Sequence, residues 1–92
     1  MLPLRLSRRA EKSLARLPAK HFEQIRRRLL ALPGDPRPHD SRTLRGYPYL
    51  RLDVGEYRVV YEISSVCIAV LLVGKRNDDE VYRELARILA KG

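Results

Sequence analysis

The sequence predicts an α+β fold: a small antiparallel sheet, a helical hairpin packed on it from the N-terminal side, and a C-terminal helix. Three observations carry that prediction. Two alternating runs, Leu50-Arg51-Leu52-Asp53-Val54 and Tyr57 to Ile63, flank the pair Gly55-Glu56. A two-residue loop with Gly first is the signature of a type II′ hairpin turn, because that site needs positive φ. Ahead of the hairpin, two stretches carry apolar residues at helical spacing and meet at a short turn marked by Pro18. Behind it, Val66 to Val73 is apolar at every position, the pattern of a strand interior to a sheet and covered on both faces.

The elements follow in order. Leu2 to Leu6 alternates, with Leu2, Leu4 and Leu6 on one side and Arg5 on the other, and reads as a short strand. Ser7 is a good N-cap for the helix that carries Ala10, Leu14 and Leu17. A second helix places Phe22, Ile25, Leu29 and Leu32 on one stripe, and Leu32-Pro33-Gly34-Asp35-Pro36 ends it. The polar, proline-bearing segment Arg37 to Arg45 reads as a loop. Ser64-Ser65 is a second turn. Gly74-Lys75-Arg76 closes the apolar strand, and a bulge at Gly74 would leave the face of Arg76 open. Asn77, Asp78, Asp79 and Glu80 suit the positive end of a last helix, whose apolar stripe is Val81, Leu85, Ile88 and Leu89.

The hairpin turn fixes a register: Val54 faces Tyr57, Asp53 faces Arg58, Leu52 faces Val59 and Arg51 faces Val60. Side chains alternate across a sheet, so Leu50, Leu52, Val54, Tyr57, Val59, Tyr61 and Ile63 share a core face. Tyr49, Arg51, Asp53, Arg58 and Glu62 share the other. An arginine in the middle of an apolar strand reads either as part of a solvated outer face or as part of a site.

At 92 residues the chain is sized for a single domain over 1–92 with one modest core. Its 19 Lys and Arg against 11 Asp and Glu leave a net charge of +8, which suits a polyanionic partner such as nucleic acid, an acidic protein or anionic lipid. Arg26-Arg27-Arg28 reads as a nucleic-acid patch or as the solvated face of an amphipathic helix, and weak phosphate attraction survives on either reading. The lone Cys67 excludes an intrachain disulfide and reads as a small buried apolar residue. His21 and His39 lie far apart in sequence, with no metal-site spacing, and no cofactor is expected. No run approaches a membrane span, and the N-terminus lacks the apolar core of a signal peptide, so a cytoplasmic protein is expected.

Several stretches together resemble the RelE/ParE superfamily of bacterial and archaeal type II toxins. They are Leu4-Arg5-Leu6-Ser7 with Ala10 and Leu14, Leu44-Arg45-Gly46, Leu50-Arg51-Leu52, Gly55-Glu56-Tyr57-Arg58-Val59-Val60-Tyr61, Val73-Gly74-Lys75-Arg76 and Glu80-Val81-Tyr82. The resemblance implies one of two activities. RelE-like members cleave messenger RNA in the ribosomal A site, and ParE-like members inhibit DNA gyrase; the ending Gly74-Lys75-Arg76…Glu80-Val81-Tyr82 is similar to the RelE side. A non-catalytic RNA- or protein-binding domain is the remaining alternative, with arginines that act only through charge. The resemblance also implies a cognate antitoxin as partner, together with ribosome and mRNA.

The residues matched to the family's catalytic positions are Arg51, Arg58, Arg76 and Tyr82, with Arg26, Arg27, Arg45 and Lys75 expected to contact RNA or ribosome. RNA supplies its own nucleophile, the 2′-OH. A base must take its proton, positive charge must hold the crowded phosphorane, and an acid must protonate the leaving 5′ oxygen. Arginine suits the middle task, because its fork stays charged and binds phosphate bidentately. Arg51 and Arg58 are expected at the phosphate. By resemblance, Arg76 serves near the leaving group, and Tyr82 is the base or the base's orienter. Tyrosine ordinarily titrates near pH 10, so a basic role requires cations beside it. Many relatives carry a second basic residue where this chain has Asp53. Either Asp53 orients Arg58 across the strands, or it is itself the base, or it weakens RNA chemistry altogether.

Overall fold

A computed structural model of the chain describes residues 1–76 and 80–91. In chain order it contains β1 (Leu4–Leu6), α1 (Arg8–Ala15), α2 (Ala19–Ala31), β2 (Arg42–Thr43), β3 (Leu50–Val54), β4 (Tyr57–Ile63), β5 (Ile68–Lys75) and α3 (Glu80–Lys91). The strands form one sheet in the order β1-β5-β4-β3-β2. The acidic run expected to start the last helix, Asn77 to Asp79, lies outside the described residues.

The central hairpin has the expected register, with Val54 opposite Tyr57, Asp53 opposite Arg58, Leu52 opposite Val59 and Arg51 opposite Val60. Gly55 has φ 59°, and no non-glycine residue among those described has positive φ. Glu56 is therefore on the negative side, which excludes a type I′ turn and leaves type II′. β5 lies inside the sheet as its composition requires, between β1 and β4.

Each face of the sheet has its own apolar layer. On one, Ala10 and Leu14 of α1 and Ile25 and Leu29 of α2 pack on Leu50, Leu52, Val54, Val59, Tyr61, Ile68 and Val70. On the other, Val81 and Leu85 of α3 cover Val60 and Leu72, with Leu44 beside them. The second layer is what turns the face of Arg51, Asp53 and Arg58 from a solvated surface into a partly covered one.

Four features depart from the sequence expectation. The sheet is mixed, because β1 runs parallel to β5. That direction delivers Ser7 to β5, where its amide donates to the Val70 carbonyl and its hydroxyl to the Leu71 carbonyl at 2.7 Å. The same hydroxyl accepts from the Ala10 amide and caps α1. Second, the bulge is at Leu71: Val60 pairs with Leu72 and Tyr61 with Val70. Gly74 stays in the ladder opposite Arg58. Third, Val66 and Cys67 belong to the turn, where the Ser64 hydroxyl accepts from both of their amides. Val66 is exposed and Cys67 half-buried. Fourth, the segment read as a loop contains β2, which adds to the edge of β3.

Gly74 is required by packing. A Cβ there would stand 2.6 Å from Val81 Cγ2, so α3 crosses β5 where only glycine lets it approach. Gly74→Ala is expected to lose about 1–3 kcal/mol of stability, the usual cost of forcing an extra carbon into packed space. Urea unfolding of the two proteins checks it, and equal midpoints would contradict the close approach.

Candidate active site

The open part of the α3-covered face holds a cluster drawn from three elements. β3 contributes Arg51 and Asp53, β4 contributes Arg58, and α3 contributes Tyr82. Alternation brings the first three to one face, and the helical step from the buried Val81 carries Tyr82 to the edge of its layer.

Arg58 is the centre of the cluster. Its side chain is 11% exposed, so its hydrogen bonds must come largely from protein. Nε donates to Asp53 Oδ1 at 2.8 Å, and Nη2 reaches Asp53 Oδ2 at 3.4 Å. Nη1 donates to the Tyr82 hydroxyl oxygen at 2.7 Å. The guanidinium carbon also stands 5.6 Å from the centroid of the Tyr82 ring, within cation–π range. Arg51 Nη1 approaches the same hydroxyl at 3.5 Å. Two guanidinium groups thus converge on one phenolic oxygen. A guanidinium has five N–H donors; Asp53 and Tyr82 engage three of those on Arg58, which leaves two for a ligand.

The hydrogen bond from Arg58 holds the Asp53 carboxyl below its usual range. The charges of Arg58, Arg51 and Arg76 act in the same direction, and partial burial opposes them. Arg58 is pushed up in turn, chiefly by its hydrogen bond to Asp53. Because the folded-state value of Asp53 is depressed, its stabilisation is present above the unfolded value of about 3.9 and is lost as pH falls through the folded value. Asp53→Asn is therefore expected to cost ~0.2–1 kcal/mol at neutral pH, the scale of an opposite-charge cross-strand pair. Urea unfolding at pH 7 and near pH 2 checks it: the gap between the two proteins closes at the acidic end.

The remaining sequence candidates are dispersed. Arg76 lies past the end of β5, exposed, with its amide donating to the Glu56 carbonyl at 3.0 Å. Its Nη1 donates to the Gly55 carbonyl at 3.3 Å. It sits at the hairpin tip and reaches the cluster through its charge. Lys75 pairs with Tyr57, and directly paired residues share a face, so it projects on the helical-hairpin side. Arg26 and Arg27 are also on that side, exposed on α2 and paired with Glu23 at 3.2 and 3.5 Å. Arg45 is exposed on a turn closed by the Tyr47 amide on the Leu44 carbonyl, with Gly46 at φ 85°. His21 packs its ring on Tyr57, and His39 is exposed on the loop before β2.

One residue on the cluster face escapes sequence reasoning. Arg42 of β2 stands directly opposite Arg51 of β3, and it is exposed. The only signal for it would have been the strand itself, which two residues between prolines and a glycine turn do not announce.

Comparison with known proteins gives a consistent picture. The family described as the ParE toxin of the type II toxin–antitoxin system matches residues 4–80. The mRNA interferase toxin RelE of Escherichia coli is 33% identical over 84 residues, covering 86% of this chain and 87% of the relative. The crystal structure of the isolated E. coli RelE toxin superposes with a TM-score of 0.73 at 29% identity, covering 97% of this chain and 99% of the other. The toxin in the intact E. coli RelBE toxin–antitoxin complex gives a TM-score of 0.73 at 28% identity, over 85% of this chain and all of that one.

Proposed function

This chain belongs to the RelE/ParE superfamily of type II toxins, and from that membership we propose that it is an mRNA interferase, a ribosome-dependent endoribonuclease that cuts mRNA in the A site and is neutralised by a cognate antitoxin. The observation that carries this reading is the convergence of Arg51 and Arg58 on the Tyr82 hydroxyl on an open, basic face. Likeness to a named mRNA interferase over most of both chains supports it.

In this reading the 2′-OH attacks the adjacent phosphorus, the 5′ oxygen leaves, and a 2′,3′-cyclic phosphate remains. The two N–H of Arg58 not held by Asp53 or Tyr82 bind the non-bridging oxygens, and Arg51 adds a second fork. Positive charge fixed before the reaction stabilises the phosphorane without reorganisation. Asp53 orients Arg58: its oxygens face the guanidinium and its carboxyl is held in the charged form, which makes it a poor base. Tyr82 is the base or positions it. Arg76 is assigned to the leaving 5′ oxygen. Arg45 serves ribosomal RNA beside the site, while Arg26, Arg27 and Lys75 attract phosphate from the far side of the sheet. Among the described residues no helix is long and apolar enough to cross a membrane. With ribosomes as the place of action, the protein works in the cytoplasm. The net charge of +8 suits an acidic antitoxin laid over the basic face.

The test is purified protein added to ribosomes holding a defined codon in the A site, with free mRNA and a gyrase supercoiling assay in parallel. Cuts confined to the ribosomal mRNA are expected. Intact mRNA with loss of supercoiling would transfer the protein to the ParE activity, and cutting of free mRNA would remove the ribosome from the reading.

A further inference from the structure

Arg42 and Arg51 form a directly opposed pair of like charges on the edge of the sheet. Such a pair is destabilising when nothing lies between its members. Among the described residues no carboxylate makes an ion pair with either arginine. The contrast with the neighbouring row is direct. There Arg58 faces Asp53, and the cross-strand pair is neutralised at 2.8 Å. The uncompensated row therefore lies one step outward along the same face, where β2 is the last strand. Among the described residues no strand lies beyond it, so the row runs from Arg58 through Arg51 to Arg42 at the rim of the sheet.

We propose that Arg42 and Arg51 together bind a second RNA phosphate, next along the strand from the scissile one held at Arg58. The inference rests on the mRNA-interferase reading and deepens it. Strands lie about 4.8 Å apart, so β2 is about 10 Å from β4, and the two long side chains span the interval between neighbouring sites. Asp53 makes the second subsite useful. It takes up part of the charge of Arg58, and the Arg42–Arg51 pair restores positive potential on the same face. Arg51 serves both subsites, since it reaches the Tyr82 hydroxyl on one side and stands opposite Arg42 on the other. The role of Arg42 is to position the strand, so its loss acts on KM more than on kcat.

The test uses a trinucleotide RNA carrying a single 2′-deoxynucleotide at the cut position, which binds and cannot be cut. Its affinity for wild-type protein, Arg42→Ala, Arg42→Lys and Lys20→Ala is measured by fluorescence anisotropy between about 50 and 200 mM salt. Lys20, exposed on α2, controls for loss of one unit of charge. Arg42→Ala is expected to bind about three- to tenfold more weakly, with the salt slope lowered by about 1. Arg42→Lys keeps charge without the fork and falls between, and Lys20→Ala matches wild type. In ribosomal cleavage Arg42→Ala raises KM more than it lowers kcat. Equal affinity and equal salt slope in Arg42→Ala and Lys20→Ala would overturn the inference even if the wild-type protein cuts ribosomal mRNA. If the wild-type protein cuts none, the reading beneath it fails, and the trinucleotide titration still decides whether Arg42 binds phosphate.

Discussion

Arg58→Ala is expected to reduce ribosomal mRNA cleavage by about 10²–10³-fold in kcat, the scale of removing one preorganised donor from a developing oxyanion. Three losses coincide in that substitution. The phosphorane loses its nearest fork, the Tyr82 hydroxyl loses its 2.7 Å donor, and Asp53 loses the group it orients. The third effect is adverse by itself, since a carboxylate without its partner then faces the phosphate with like charge. Arg58→Lys is expected to recover little. An ammonium cannot contact Asp53, Tyr82 and a phosphate at once in the plane that a guanidinium offers. Single-turnover cleavage on programmed ribosomes checks both variants. Circular dichroism checks that each has kept the sheet, because Arg58 is on β4 and is paired on both sides, with β3 and with β5. A variant that folds and cuts at more than about a tenth of the wild-type rate would remove Arg58 from the chemistry.

Tyr82→Phe is the second large effect, about 10²-fold or more, the range that general acid–base groups contribute. The substitution keeps the ring, its contact with the guanidinium face and the packing of α3, and it deletes only the oxygen on which Arg51 and Arg58 converge. Its companion is Asp53→Ala, which is expected to stay within about tenfold of wild type if Asp53 orients Arg58, as proposed, and transfers no proton. The two variants divide the alternatives cleanly. Loss in Tyr82→Phe with retention in Asp53→Ala places proton transfer at the tyrosine or at a group it holds. The opposite result makes Asp53 the base.

Much of this was legible in the sequence, and the reason is local. A Gly-first two-residue loop between alternating strands fixes the pairing of Asp53 with Arg58 and of Arg51 with Val60, and both pairs are present. Ser7 announces the start of α1, and the all-apolar run announces an interior strand. What escaped is set by contacts distant in sequence. The parallel pairing of β1 depends on which sheet edge is open once the hairpin strands have formed. The bulge at Leu71 had no signature, because a run apolar on both faces carries no phase to break. A glycine near a strand end permits a bulge, but the missing side chain of Gly74 instead serves the approach of Val81. The family resemblance supplied the candidate residues for the site. It did not fix where Arg76 would lie, which follows from the hairpin tip to which it bonds. Arg42 was hidden for the plainest reason: a two-residue strand has no pattern of its own, and its partner β3 defines it.

On the proposed mechanism this arginine–tyrosine face makes the RNA cut itself through its own 2′-hydroxyl. The most direct measurement compares two mRNAs on A-site-programmed ribosomes, one all-ribose and one with a single 2′-deoxynucleotide on the 5′ side of the cut. Cleavage of the first is expected, with a 2′,3′-cyclic phosphate on the upstream fragment, and none of the second. Cleavage of both would show that water is the nucleophile and would contradict the mechanism; cleavage of neither would contradict the activity.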